Sequence, residues 1–550
     1  MGFLESITIF CEKYGVSILT LLTVYLLLQI INPLIFQGAI NHSSPRGFLA
    51  NDAYWLESVV RHSINIGVYN EQPPALVYQR FEHYDPAEPP FFINLASGIG
   101  TLLVIESYDA IQFSTILIII SVILIVAAFL SEHTILAPLF LPFTFYIAVF
   151  PYQVSYTWGF WRQTSALVIL IAGMYYLSKN FSPGIAVITG IFLSASILSY
   201  PFYPFLFLVL IVVSIVSQLN GRVNIIKSIA LFFITSILFS TNYILDFVSS
   251  RAGDAGLFST IAKHLFEGYN SYGANISFEQ LPLRWFFLTA FLICIVSLPL
   301  LKKRESWMLL SVTIVSLTLL PSFGILERGR HLRFLWPVLF GIIVVVSLSI
   351  IIGVLNNLLK NSSVNFKSAR TSIFSVVVTI FLLWIISSPI MASSSGPGSI
   401  ISDRMWSAYN YINDNTPKNS TILVIDPIGG SQAASILGID RKSRFPVQES
   451  FRNVLFKSIE NGTPIENVPT IAFCQVPSMN RNWFSYVPVK PVEECSERLV
   501  NWCTFDYVLI QYINDEKYIN YIQSQEVFKS FTLVYNVEDV VLLKRGDDFC

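Results

Sequence analysis

The chain has 550 residues, 53% of them hydrophobic and only 13% charged, with a net charge of −1. A water-solvated protein carries about 25% charged residues, so one large soluble globule is excluded and a bilayer-solvated body is expected. The balanced charge leaves no electrostatic footprint for a nucleic-acid partner.

Taken in order, residues 1–15 lack the basic segment and small-residue cleavage site of a signal peptide. The apolar run Val16–Phe36 is therefore predicted to remain as the first membrane span. A helix needs about 20 apolar residues to cross the hydrocarbon. Further runs lie at 110–130, 135–150, 163–178, 184–200, 202–217, 228–245, 283–301, 306–321, 334–354 and 371–391. Residues 93–105 are apolar but short, and read as a helix on the membrane surface or a half-buried segment. The fold class expected is a polytopic α-helical membrane protein of about eleven spans, followed by an α/β domain. Orientation follows from the cations. With the N-terminus inside, Arg222, Lys227, Lys302, Lys303, Arg304, Lys360, Lys367 and Arg370 all fall on the cytoplasmic side. The loop 37–92 and everything after Ser393 then fall outside.

Within that first loop, Asn51–Phe92 holds Asp52, Glu57, Arg61, His62, Glu71, Arg80, Glu82, His83, Asp85 and Glu88 among many aromatics. The stretch is too aromatic for disorder and too long for a plain connector. It is predicted to fold on the membrane and to present a reactive carboxylate. Asn51-Asp52 also reads as a helix N-cap ahead of Trp55, Val59 and His62 at helical spacing. Glu57 is expected to orient an acceptor. His83 and Asp85, just before Pro89-Pro90, are the rivals of Asp52.

Three other outer segments are informative. The residues Ser322–Arg333 place Arg328, Arg330, His331 and Arg333 on the side that the cation rule forbids. Such a cluster at headgroup depth needs an anion, and the guanidinium fork suits phosphate. Pairing with anionic lipid or Glu327 is the plainer alternative. Pro151–Gln163 is aromatic with one cation, Arg162. Its Trp158 and Trp161 read as an interfacial belt or as a stacking surface for a sugar. Asp246–Pro282 is glycine-bearing and suits a flap.

After Ser393 the chain changes character. The breaker-rich SSSGPGS leads into a helical pattern over Asp403–Asn415, with Met405, Trp406, Tyr409 and Ile412 on one face. Thr421–Asp426 and Tyr507–Tyr512 read as buried strands. Phe531–Val537 and Val540–Lys544 read as a hairpin around Glu538-Asp539. Residues 393–550 are thus expected to form an outer α/β domain, and residues 1–392 the membrane domain. Of six cysteines, Cys474, Cys495, Cys503 and Cys550 fall in the outer domain. Without tight Cys pairs, disulfides are expected rather than a metal, with the pairing open. Sequons at Asn41, Asn275, Asn419 and Asn461 all fall outside.

The pieces Asn51-Asp52-Ala53-Tyr54-Trp55, Ile66-Gly67, Tyr84-Asp85-Pro86, Pro89-Pro90-Phe91 and Ile99-Gly100, in this order after a first span, resemble the type C glycosyltransferase superfamily (GT-C). Ala408–Ile412, running through Asn415-Thr416-Pro417 into a strand, is similar to the outer domain of oligosaccharyltransferase catalytic subunits. The resemblance implies a membrane enzyme that takes a sugar from a polyprenyl-phosphate-linked donor at the outer face. It implies Asp52 as the catalytic carboxylate and Arg328, Arg330 and Arg333 as donor-phosphate ligands. The oligosaccharyltransferase signature Trp-Trp-Asp-Tyr-Gly is absent; the stretch in its place is Val424-Ile425-Asp426-Pro427-Ile428-Gly429-Gly430. The acidic pair that those enzymes use for a divalent metal is absent from the second outer loop. Monosaccharide transferases of the mannosyl- or arabinosyl-transferring kind are the closer comparison.

The chemistry is consistent with these residues. A carboxylate can deprotonate an acceptor hydroxyl, and cations can stabilise an anionic leaving phosphate without a general acid. One carboxylate opposite the leaving group implies inversion. Donor, membrane lipid and a glycan, lipid or protein acceptor are the expected partners. The sequence assigns no cofactor and no structural metal, and a divalent cation (Mg or Mn) at the active site stays open. The extracytoplasmic face of a plasma membrane or of the endoplasmic reticulum is the expected location. A flippase and a non-catalytic assembly protein are the alternatives. Against the flippase, no internal repeat is present and ionisable groups gather at span ends.

Overall fold

The structure is a computed structural model. It describes residues 17, 21, 51–67, 90–131, 159, 161–177, 181–199, 207–208, 210–212, 224–251, 292, 402–425, 436–437, 442–444, 461–464, 505–511, 520–521 and 523–547. The spans predicted at 135–150, 306–321, 334–354 and 371–391, most of those at 16–36, 202–217 and 283–301, most of the Asp246–Pro282 segment, and Cys474, Cys495, Cys503 and Cys550 lie outside these residues.

The helical body begins with α1 (Asn51–Ile66). Ala53, Tyr54, Leu56, Val59 and Val60 are all buried, so α1 is enclosed rather than lying on a surface. Its end is set by Gly67, whose φ of 67° closes the helix through an N–H donated to the Ser63 carbonyl at 3.0 Å. Pro90 then precedes α2 (Phe91–Leu103), where its missing N–H costs nothing. Phe92, Ile93, Ala96 and Gly100 form its buried face. The predicted short segment at 93–105 is therefore a helix. It stops at Val104 in the left-handed conformation, φ 55° and ψ 46°, unusual for a β-branched residue.

Helix α3 (Ser107–Ser131) follows at once. Its Ser107–Ile125 portion, 19 residues, is long and apolar enough to cross a membrane. Phe113, Leu117 and Leu124 form an outward stripe while Ile111, Ile118, Ile119 and Ile123 face inward. A helix apolar on every side is one solvated by lipid or protein, not by water. Helix α4 (Trp161–Leu177) is buried along almost its whole length. Helix α5 (Pro183–Ser199) presents Ala186, Gly190 and Ser194 to a neighbour. That neighbour is α6 (Asn224–Arg251). A Cβ on Gly190 would stand 2.6 Å from the Phe232 carbonyl oxygen, so the backbones approach closely. The outer ridge of α6, with Ile226, Ile234, Leu238 and Phe239, is exposed and apolar. Helix α6 also runs past the predicted 228–245 at both ends. Polar flanks leave the hydrocarbon without breaking the backbone pattern, so the loop expected from Asp246 begins as helix to Arg251.

The C-terminal domain opens on α7 (Asp403–Asn415), capped by Ser402, whose Oγ accepts the Met405 N–H at 3.2 Å. Its buried Met405, Ala408, Tyr409 and Ile412 recur at i, i+3, i+4 and i+7. They belong to the apolar cluster that also contains Ile422, Tyr507, Leu509, Val540 and Leu542 of the sheet, together with buried residues of α1–α3 and Trp161 of α4. The strands are β1 (Thr421–Ile425), β2 (Lys442–Arg444), β3 (Tyr507–Gln511), β4 (Phe531–Val537) and β5 (Val540–Arg545), with a short α8 (Glu526–Lys529) before β4. Their order across the sheet is β2-β1-β3-β5-β4. The β2, β1 and β3 strands run parallel, pairing Ile422 with Tyr507 and Thr421 with Lys442. The β3, β5 and β4 strands are antiparallel. Asp506 ties one end together. Its Oδ2 accepts the Thr421 N–H at 2.8 Å and its Oδ1 accepts from the Arg545 guanidinium at 3.1 Å.

Candidate active site

The helical body places the predicted site residues unequally. Asp52 is the second residue of α1, because the helix starts at Asn51. It therefore sits inside the first turn rather than ahead of it as a cap. Positions 52 and 57 are five residues apart, about 140° around the axis and about 7.5 Å along it. The two carboxylate positions thus serve different sides of α1. His83, Asp85, Arg328, Arg330, His331 and Arg333 lie outside the described residues.

Glu57 is fully buried. Its Oε1 accepts the Ser107 hydroxyl at 3.2 Å and faces the Arg61 guanidinium at 3.3 Å. Arg61 is only slightly exposed, and the pair is the i,i+4 arrangement of one helix face. A buried carboxylate stays charged only when paired and hydrogen-bonded. The Ser107 contact crosses 50 residues of sequence and joins the middle of α1 to the first residue of α3. His62, one step further along α1, is also buried. The spacing of Glu57 and Arg61 stands in the sequence, though the pair went unread there. Ser107 had no such signal, because only the mutual register of two helices brings it there.

Two more contacts draw the helices together. Gly100 of α2 lies where a Cβ would be 2.4 Å from the Ile64 side chain of α1 and 3.2 Å from Ala110 of α3. Phe92 of α2 stacks on Trp161 of α4, centroids 5.2 Å apart and planes 23° apart. Trp161 is completely buried. It is therefore neither an interfacial belt residue nor a sugar platform in this state, but the joint between α2 and α4. Arg162, the next residue, is half-buried at the start of α4. Among the described residues no group of three or more His, Cys, Asp and Glu is placed to hold a metal ion.

Comparison with solved structures identifies the architecture. The archaeal oligosaccharyltransferase AglB from Archaeoglobus fulgidus, in complex with an inhibitory peptide and a dolichol-phosphate, aligns over 98% of this chain and 75% of its own, with a TM-score of 0.55 and 14% identity. The A. fulgidus oligosaccharyltransferase in complex with Zn and sulfate aligns over 96% and 73%, with a TM-score of 0.55 and 15% identity. ArnT from Cupriavidus metallidurans, bound to undecaprenyl phosphate, aligns over 98% and 99%, with a TM-score of 0.53 and 12% identity. This chain has the fold of these oligosaccharyltransferase and ArnT structures. No family model matches the chain, and no curated protein sequence matches it. At these identities the likeness establishes the fold, while the chemistry rests on this chain's own residues.

Proposed function

We propose that this GT-C-fold protein is an inverting glycosyltransferase that moves a sugar from a polyprenyl-phosphate-linked donor to an acceptor hydroxyl at the outer membrane face. The observation that carries this reading is the near-complete alignment with two kinds of GT-C structure, one bound to dolichol-phosphate and one to undecaprenyl phosphate. Asp52, in the first turn of the enclosed helix α1, is the general base. It takes the acceptor proton as the acceptor oxygen bonds to C1 of the sugar, and the bond from C1 to the donor phosphate oxygen breaks on the opposite face. Arg328, Arg330 and Arg333, with His331 and Arg162, hold the departing phosphate, whose growing charge they offset. His83 and Asp85 bind on the substrate side of the same loop. The acceptor is a glycan, lipid or protein hydroxyl. A divalent cation, Mg or Mn, would share the charge on the phosphate if the reaction uses one.

The test is transfer from a panel of polyprenyl-phosphate monosaccharides, mannosyl and aminoarabinosyl donors included, by the purified full chain in lipid nanodiscs. Asp52→Asn is expected to lower kcat by about 10²–10⁴-fold with unchanged thermal stability. A variant that transfers at the parent rate removes Asp52 from the role of base. Chelation of divalent ions in the same assay decides the metal question.

A further inference from the structure

We propose that Glu57 is a positioning residue. It clamps α1 to the start of α3 through Ser107, and so fixes the place of Asp52; the inference rests on the assignment of Asp52 as base. Three observations carry it. Glu57 has no exposed surface, so it cannot meet a substrate without α1 moving. Among the described residues many helix hydroxyls close back on their own helix, as Ser63 does on Val59, Ser114 on Ala110, Thr115 on Ile111 and Ser165 on Trp161. Ser107 instead reaches to another helix, and its partner is a carboxylate. Arg61 meets the same oxygen of Glu57 from one turn further on, which holds the carboxylate rotamer that receives the Ser107 proton.

The clamp lies five residues after Asp52 on the same helix, about 7.5 Å along a rigid rod. Gly100 brings α2 against α1 and α3 on the same side, which leaves α1 with α3 as a fixed reference. Asp52 needs no contact with Glu57 to feel it: a shift or rotation of α1 moves position 52 by a comparable amount. A misplacement of about 1 Å at a reacting group can cost 10²-fold in rate. The acceptor-orienting role that spacing alone suggested for Glu57 is replaced by this one.

The experiment uses the full chain in nanodiscs and two readouts. The first needs no activity. Spin labels at the exposed positions Asn65 and Asp109 report the α1–α3 distance. The distribution is expected to be narrow in the parent and in Ser107→Thr, which keeps the hydroxyl, and broad in Ser107→Ala and Glu57→Ala. An unchanged distribution in both alanine variants overturns the clamp. The second readout is kinetic. Ser107→Ala and Glu57→Ala are expected to lose about 10–10²-fold in kcat, with acceptor KM within twofold, and Ser107→Thr to restore the rate. A raised acceptor KM at parent kcat would instead make Glu57 an acceptor ligand and overturn the positioning role. Full rate in Asp52→Asn, with the distance broadened in the clamp variants, would sink the assignment of Asp52 and leave the clamp standing.

Discussion

The helical body and the C-terminal domain differ in how often their polar side chains reach distant parts of the chain. In the described helices, many hydroxyls donate to the carbonyl one turn back, as Thr189 does to Ile185, Thr235 to Leu231 and Ser240 to Ser236. Such bonds satisfy a group that lipid cannot solvate and tie nothing distant together. In the C-terminal domain such local bonds occur too, as from Thr416 to Ile412, but several polar groups also span the chain. The Tyr411 hydroxyl donates to the Val534 carbonyl, and Arg404 pairs with Asp539 at 3.0 Å and with Glu538. Water competes for these groups, so each contributes little alone. Cohesion in the helices must therefore come from close backbone approach and from the occasional dry polar contact. In the C-terminal domain it comes from the sheet.

The largest effect that separates the two regions is expected at Gly190. Gly190→Ala puts a methyl 2.6 Å from the Phe232 carbonyl and 3.0 Å from the Thr235 side chain, so α5 and α6 must part. The expected loss is about 1–3 kcal/mol, read as a lowered Tm of the full chain in nanodiscs. A Tm equal to the parent's would mean that the two helices do not depend on that approach.

A smaller effect is expected at Arg404. Its guanidinium is held above its ordinary value chiefly by the hydrogen bond to Asp539, but it is exposed. Arg404→Ala should lower Tm slightly at low salt and not at all near 1 M salt, where the screening length falls to about 3 Å. A loss independent of salt would show that Arg404 acts by packing of its stem.

The smallest effect belongs to Tyr535, whose ring packs at a 39° tilt against Tyr411 with centroids 4.7 Å apart. Burial pushes its hydroxyl above the ordinary tyrosine value. Because the unfolded chain ionises first, the contribution is complete below about pH 10 and is lost as pH rises through the folded value. Comparing Tyr535→Phe with the parent in an alkaline melting series checks this: the parent should lose stability more steeply with pH. Parallel curves would count against it.

How much of this was legible in the sequence depended on which physical signal each element carries. The strands β1 and β3 were readable because Thr421–Ile425 and Tyr507–Gln511 are dense in β-branched and apolar residues. The hairpin was readable too, since Glu538, with φ 53°, and Asp539 stand between two such runs. The edge strand Lys442–Arg444 was not, because three polar residues acquire strand geometry only from the β1 edge beside them. The same limit applies in the helices. The helical spacing of Trp55, Val59 and His62 after Asn51-Asp52 announced α1, while the Glu57–Arg61 pair went unread. The burial of Trp161 against Phe92 and the seat of Ser107 depend on how helices meet, which no local pattern encodes. The His83, Asp85 and Arg328–Arg333 assignments rest on sequence and family resemblance.

The carboxylate of Asp506 has a consequence for how this fold tolerates change. It grips the first amide of β1, 85 residues earlier, and the guanidinium of Arg545 on β5. The register of neighbouring strands is therefore pinned at the point where the chain comes back, independently of what it traverses between. An insertion or deletion between β2 and β3 can therefore change the length of that excursion while β1, β3 and β5 keep their alignment.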